Sequence, residues 1–212
     1  MEDTMIDSII FDLDGTMWDT TEDAAVLWQK VVDEQFPDIT DKVTGPKLKS
    51  LYGLPLVDIA VQLFTSVSAE RAIEAMRVCV VEQCPYLTEH GGILIGEIEE
   101  TLKELSKKYK LFIVSNCEDG YIQSYLEGHN FGKYFTDFEC PGTTGLLKAD
   151  NIKLMVKRHH LKSPIYVGDT YGDQTAAEEA EVPFAFAAYG FGEATKFDYK
   201  LSSYADLTEN FD

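Results

Sequence analysis

Ile9-Ile10-Phe11 runs without a break into Asp12-Leu13-Asp14-Gly15-Thr16. A short run of β-branched and aromatic residues reads as a strand buried on both faces. Such a strand ending on two carboxylates and a glycine is no ordinary turn. In open α/β sheets, sites lie at the carboxyl ends of strands. Asp12 stands on the strand end, Asp14 leaves it on the same side, and Gly15 allows a sharp turn. Two adjacent carboxylates repel unless a cation or a shared proton relieves them. The stretch therefore calls for a divalent metal, a nucleophile with an acid/base partner, or both. A calcium loop is excluded by spacing, because Gly15 follows directly on the second Asp.

The rest of the chain splits into two patterns. From Thr20 onward it is helical. Thr20 or Thr21 caps a first helix carrying Val26, Leu27, Val31 and Val32, which Pro37 ends. Pro55 opens a helix to about Phe64, and Ser68 caps another that stops near Pro85. No buried strand is expected between Thr20 and Glu89. After His90-Gly91-Gly92 helices and strands alternate. Strands are expected at Leu111–Val114, near Phe138, at Ile165–Val167 and, as the last clear one, at Phe184–Ala187. Helices are expected at about Ile95–Lys108, Asp119–His129, from an Asp150 cap to His160, and Gln174–Ala180. Alternation of this kind implies an α/β fold, a Rossmann-like doubly wound parallel sheet with helices on both faces. Residues 1–19 and 90–212 then form the core, and 20–89 an all-helical cap inserted after the first strand.

With 212 residues, 45% of them hydrophobic, the chain holds enough apolar side chains for a packed core. Its 18 Lys and Arg against 37 Asp and Glu give a net charge of -19. That surface repels nucleic acid and anionic membranes. The acidic start Met1-Glu2-Asp3 lacks the features of a signal peptide, and no apolar run approaches the roughly 18 residues of a membrane span. Cys79, Cys84, Cys117 and Cys140 form no C-x-x-C or zinc spacing, which fits free thiols in a cytoplasmic protein. Cys117 reads as a packed thiol, Trp18 and Trp28 as packing residues, and the four histidines as solvated.

Further polar residues follow the strands. Ser115-Asn116 comes after the second, Lys148 after the weak third, and Gly168-Asp169-Thr170 with Asp173 after the fourth. A doubly wound sheet brings these ends to one crevice. Four carboxylates with little positive charge suit a hard cation such as Mg²⁺, while a Ser hydroxyl and a Lys suit phosphoryl oxygens. A carboxylate nucleophile passes through an aspartyl-phosphate. Ser-His-Asp chemistry finds no support, since the G-x-S-x-G turn is missing from the sequence.

These motifs, in this order and around an early helical insertion, resemble the haloacid-dehalogenase superfamily of phosphohydrolases. The helical cap is similar to that of its phosphoglycolate phosphatase and β-phosphoglucomutase branch. The resemblance implies that Asp12 attacks phosphorus and that Asp14 protonates the leaving group and then activates water. It implies that Thr16 holds Asp14, and that Ser115, Asn116 and Lys148 bind the phosphoryl group. Mg²⁺ would be held by Asp12, the Asp14 backbone carbonyl and Asp169, with Asp173 nearby. Ala149 replaces the Pro that commonly follows the motif Lys, which makes Lys153 a competitor of Lys148. Asp14 separates this chain from the dehalogenases, which lack a second Asp. A phosphoglycolate phosphatase-like hydrolase of a small phosphate monoester is therefore expected, as a monomer or weak homodimer. A sugar phosphomutase shares the core motifs, and a non-catalytic module on the same fold is the competing class. Asp19 is expected in the hinge to the cap, where Lys47 or Lys49 is expected to meet an anionic group of the substrate.

Overall fold

A computed structural model describes residues 6–209. The acidic Met1-Glu2-Asp3 start lies outside the described residues. The first strand, β1 (Ser8–Phe11), is buried throughout and leads into a two-residue strand, β2 (Trp18–Asp19). Helices α1 (Thr21–Gln35), α2 (Gly45–Lys49), α3 (Leu56–Leu63) and α4 (Ala69–His90) follow. After β3 (Ile93–Leu94) and α5 (Ile98–Lys108) come β4 (Lys110–Val114), α6 (Tyr121–Gly128) and β5 (Phe135–Glu139). The chain continues through α7 (Pro141–Thr144), α8 (Lys148–His159), β6 (Pro164–Gly168) and α9 (Tyr171–Ala180). It closes with β7 (Phe184–Ala187), β8 (Tyr199–Leu201) and α10 (Asp206–Glu209).

Six strands form one parallel sheet in the order β5-β4-β1-β6-β7-β8. Side chains alternate across a strand, and the core divides accordingly. Ile9, Phe11, Ile113, Val167 and Ala185 pack on one face, against α5 and α6. Ile10, Phe112, Val114, Tyr166 and Phe186 pack on the other, against α8 and α9. Both faces of a parallel sheet are thus covered, which is why its strands read as continuous apolar runs. Helices α1–α4 build a third cluster from Trp28, Val32, Leu48, Ile59, Phe64, Met76 and Cys79. The antiparallel pair β2–β3 joins this helical part to the sheet. No helix among the described residues is long and apolar enough to cross a membrane.

Several local expectations are corrected. Pro85 does not stop its helix: α4 runs on to His90 and ends at Gly91. A helix-interior Pro costs about 3 kcal/mol. Here the carbonyl it leaves unpaired belongs to Val81, which is exposed to water, and the next turn buries Leu87 in the core. Asp150 is not the cap of its helix, because α8 already begins at Lys148 and Asp150 sits in the first turn. Thr20 holds the N-cap position of α1, but its side chain makes no capping hydrogen bond. The Thr20 hydroxyl is turned to Tyr121, and Asp19 Oδ1 accepts from the Thr21 N–H at 2.9 Å instead. Phe184–Ala187 is not the last strand, since β8 adds an edge that buries only Leu201 and so lacks an apolar run. Two histidines are not solvated. His129 packs against Trp18, Tyr125 and Phe131, and His159 bonds Asp137 at 2.8 Å beside Phe112.

Candidate active site

The carboxyl ends of β1, β4 and β6 lie side by side in the sheet, so whatever follows them is forced together. Asp12 is 1% exposed, and its N–H donates to Val167 O at 2.8 Å, which ties the end of β1 to β6. The first turn of α8 delivers Lys148 to the same place. Its ammonium donates to Asp12 Oδ1 at 2.8 Å and to Asp173 Oδ1 at 2.7 Å, with all three side chains buried. Asp173 is held hard from behind. Its Oδ2 accepts from the N–H of Asp169 and of Thr170 and from the Thr170 hydroxyl, and Tyr166 donates to its Oδ1 at 3.2 Å.

Asp169 completes the group. One ligand oxygen from each of Asp12, Asp169 and Asp173 lies within 4.8 Å of the others. The Phe191 N–H donates to Asp169 Oδ2 at 2.6 Å. Glycines form the walls around this carboxylate. Gly15 has φ +78, and a methyl there would stand 2.3 Å from Asp169 Oδ2; one on Gly190 would stand 2.3 Å from Asp169 Cβ. Gly190→Ala is expected to displace Asp169 and to weaken the hold of this carboxylate group on a divalent cation by roughly 10-fold or more. Metal titration followed by thermal melting reads this, and an unchanged midpoint concentration would contradict it.

The electrostatics follow from burial. Burial raises Asp169 to about 8, helped by the charges of Asp173 and Asp12. Burial also raises Asp12, to about 6, against the pull of Lys148. Asp173 goes the other way: burial is outweighed by Lys148 and Thr170, which hold its carboxyl low. For Lys148 burial opposes the charge, but Asp12 and Asp173 outweigh it and push the ammonium well up. Three buried carboxylates share one ammonium, so negative charge is left over. That excess and the all-oxygen donor set fit a hard divalent cation. Both oxygens of Asp173 are committed to several donors, whereas Asp12 and Asp169 each have one close donor.

Asp14 stands apart from this group. Burial pushes its carboxyl up to about 8, against the pull of the Tyr121 hydroxyl, which donates to Oδ1 at 2.8 Å. The same hydroxyl meets Thr20 at 2.8 Å. Thr16 does not take the part expected of it: its hydroxyl faces Asp169 Oδ1 at 3.5 Å, not Asp14. Tyr121, in the first turn of α6, is the partner that the sequence did not reveal. It lies 107 residues from Asp14, and a Tyr in a helix start carries no pattern of its own. The run Tyr189-Gly190-Phe191-Gly192 after β7 was the visible sign of the Asp169 cradle, since glycines beyond a strand end allow close approach.

Ser115 and Asn116 follow β4 and line a cavity with Asp12 and Asp14. Asn116 also donates to Gly53 O at 3.0 Å, linking the sheet to the helical part. Lys153 is no rival of Lys148, for it lies at the surface beside Asp150. Lys47 and Lys49 are not brought to this cavity. Lys47 is exposed on α2. Lys49 pairs with Asp19 at 3.2 Å and lies over the Phe191 ring in an adjoining groove.

The cavity, about 40 Å³ in volume and open to solvent on one side, lies between the sheet and α1, α3 and α4. Cys117, Glu118 and Tyr121 complete the sheet side. The opposite wall is mostly apolar, with Trp28, Leu54, Leu56, Ile59 and Val80.

The sequence profile of the haloacid dehalogenase-like hydrolases matches residues 9–187. A phosphoglycolate phosphatase of Aquifex aeolicus is 27% identical over 216 residues, spanning 96% of this chain and 96% of that protein. A phosphoglycolate phosphatase of Vibrio parahaemolyticus is 25% identical, over 95% of this chain and 94% of its own length. Among solved structures, a haloacid dehalogenase-like family hydrolase from Streptococcus pneumoniae superposes with a TM-score of 0.78 at 23% identity, covering 98% of this chain and 99% of that one. A superfamily hydrolase from Geobacter sulfurreducens gives 0.72 at 17% identity, covering 100% and 99%. At such identities the two structures speak for the fold.

Proposed function

The chain belongs to the haloacid dehalogenase-like hydrolases, and on that footing we propose that it is a Mg²⁺-dependent phosphatase of small-molecule phosphate monoesters. One observation carries the reading. Lys148 bridges Asp12 and Asp173 while Asp169 stands within ligand distance, so the ends of β1 and β6 and the first turns of α8 and α9 meet at one buried point.

An Asp12 carboxylate oxygen attacks phosphorus, and the bond from phosphorus to the ester oxygen breaks. Asp14 gives its proton to that oxygen, so a neutral alcohol leaves and an aspartyl-phosphate remains. Asp14, now ionised, takes a proton from water. The water oxygen attacks phosphorus, and Asp12 is released with inorganic phosphate. Tyr121 keeps the Asp14 carboxyl aimed throughout. Ser115 and Lys148 meet phosphoryl oxygens, and Asp173 positions Lys148. Mg²⁺ would be held by Asp12, Asp169 and the Asp14 carbonyl, and would supply charge for the carboxylates and the phosphoryl oxygens. The helices of 20–89 act as a cap that encloses the leaving group and excludes water. A reducing cytosol suits the four free thiols. Release of phosphate from an aryl phosphate, strictly dependent on Mg²⁺ and abolished by EDTA, tests the whole scheme. Failure to release phosphate from any ester would sink it.

A pH dependence follows from the raised carboxyls. In the metal-free protein Asp12 and Asp169 have folded values, about 6 and about 8, above the ordinary 3.8. The folded state then binds more protons than the unfolded state between those limits. This part of the stability is present below about pH 4 and is lost as pH rises to about 8. Mg²⁺ binds the ionised forms and restores it. The gain in melting temperature on adding Mg²⁺ is therefore expected to be larger at pH 8 than at pH 6. Equal gains at both would count against the assignment of these two carboxylates.

A further inference from the structure

The cavity beside Asp12 and Asp14 carries information on what leaves with the alcohol oxygen. Among the described residues that line it there is no Lys, Arg or His. The acidic side chains of its lining, Asp12, Asp14 and Glu118, supply no positive charge to an anion. Lys148, at the start of α8, is not part of its lining and is bound by Asp12 and Asp173. Lys49 lies in the adjoining groove, paired with Asp19. An anionic leaving group would give up its hydration here without gaining a counter-charge, which is strongly unfavourable.

One polar group of the apolar wall is unused. Gln83, on α4, is 1% exposed and lines the cavity. Its Oε1 accepts from the Trp28 indole N–H at 3.0 Å. An indole nitrogen only donates, so this contact fixes which end of the amide is oxygen. Nε2 is left buried, with two protons and no hydrogen-bond partner. The Tyr52 hydroxyl lies close to both Thr20 and Gln83, but it makes no hydrogen bond of good geometry with Nε2. A buried amide donor without a partner is unfavourable, and a substrate acceptor that reaches it removes that cost.

We propose that this cavity selects phosphate monoesters whose leaving group is uncharged and carries a hydrogen-bond acceptor, which Gln83 Nε2 engages while Trp28, Leu54, Ile59 and Val80 enclose its carbon frame. The proposal rests on the phosphatase reading above and sets this chain apart from hydrolysis of phosphoglycolate, whose leaving group keeps a carboxylate. Gln83 is a specificity residue held in register by Trp28.

Three substrates of similar size separate the terms: 2-phosphoglycolate, its uncharged carboxamide, and propyl phosphate, which lacks the acceptor. With Mg²⁺ present, kcat/KM for the carboxamide is expected to exceed that for the acid by roughly 100-fold or more. Its advantage over propyl phosphate should fall roughly 10-fold in Gln83→Met, through KM and not kcat. An acid hydrolysed as well as its amide overturns the proposal and leaves the phosphatase reading standing. The substrate comparison uses the unaltered protein, so it holds even if Gln83→Met fails to fold. Should no ester release phosphate, the phosphatase reading falls. Calorimetric binding of the acid and the amide to the unaltered protein then still decides the cavity's preference: tighter binding of the amide supports the proposal, and equal or tighter binding of the acid ends it.

Discussion

Asp12→Asn lowers phosphate release by a factor on the order of 10⁴ or more, because a neutral amide cannot form the acyl-phosphate. The protein is expected to stay folded. The substitution keeps the side-chain shape and an oxygen that accepts from Lys148. It removes one of three mutually repelling buried carboxylates, and burial together with Asp173 had already made ionisation of Asp12 costly. Without metal, the melting temperature should therefore equal or exceed that of the unaltered protein. Phosphate release and thermal melting, taken on the same preparation, check both halves. Activity above a tenth of normal would remove Asp12 as nucleophile, whatever the stability.

Lys148→Met has the opposite signature. It strips the shared ammonium from Asp12 and Asp173, which lie 2.8 and 2.7 Å from it. Breaking a buried pair by removing one partner costs on the order of 3–5 kcal/mol, since a buried charge is left uncompensated. For a chain of this length that lowers the melting temperature by roughly 6–20 °C. Activity should fall as well, by roughly 10²–10³-fold, as one electrostatic contact to the phosphoryl group is lost. Adding Asp173→Asn to the same protein should recover part of the stability, with a coupling of roughly 0.5–3 kcal/mol, and none of the activity. A single variant that melts like the unaltered protein would show that the bridge does not hold the site together.

Much of this was legible in the chain because both faces of the sheet are covered. Ile9–Phe11, Leu111–Val114 and Ile165–Val167 read as apolar runs for that reason, and polar residues directly after such runs mark strand ends. Where one of those conditions failed, the reading failed. Strand β8 is an edge with only Leu201 buried, so it offers no run to see. Pro85 breaks a local rule that tertiary packing of Leu87, with Val81 one turn before it at the surface, overrides. The family resemblance implied that Thr16 holds Asp14, but its hydroxyl faces Asp169 across 153 residues of chain.

Residue order alone determined the layered α/β core, the helical stretch after the first strand and the types of group available for chemistry. These depend on periodicity, capping and strand ends, all of which act over a few residues. Tertiary structure alone decided which group serves which. It put Tyr121 on Asp14, the Phe191 N–H on Asp169, Lys148 between Asp12 and Asp173, and an amide in a cavity wall without cations. Hydrogen bonds and buried charges act over a few ångströms of space, so partners far apart in the chain meet only once the sheet has closed.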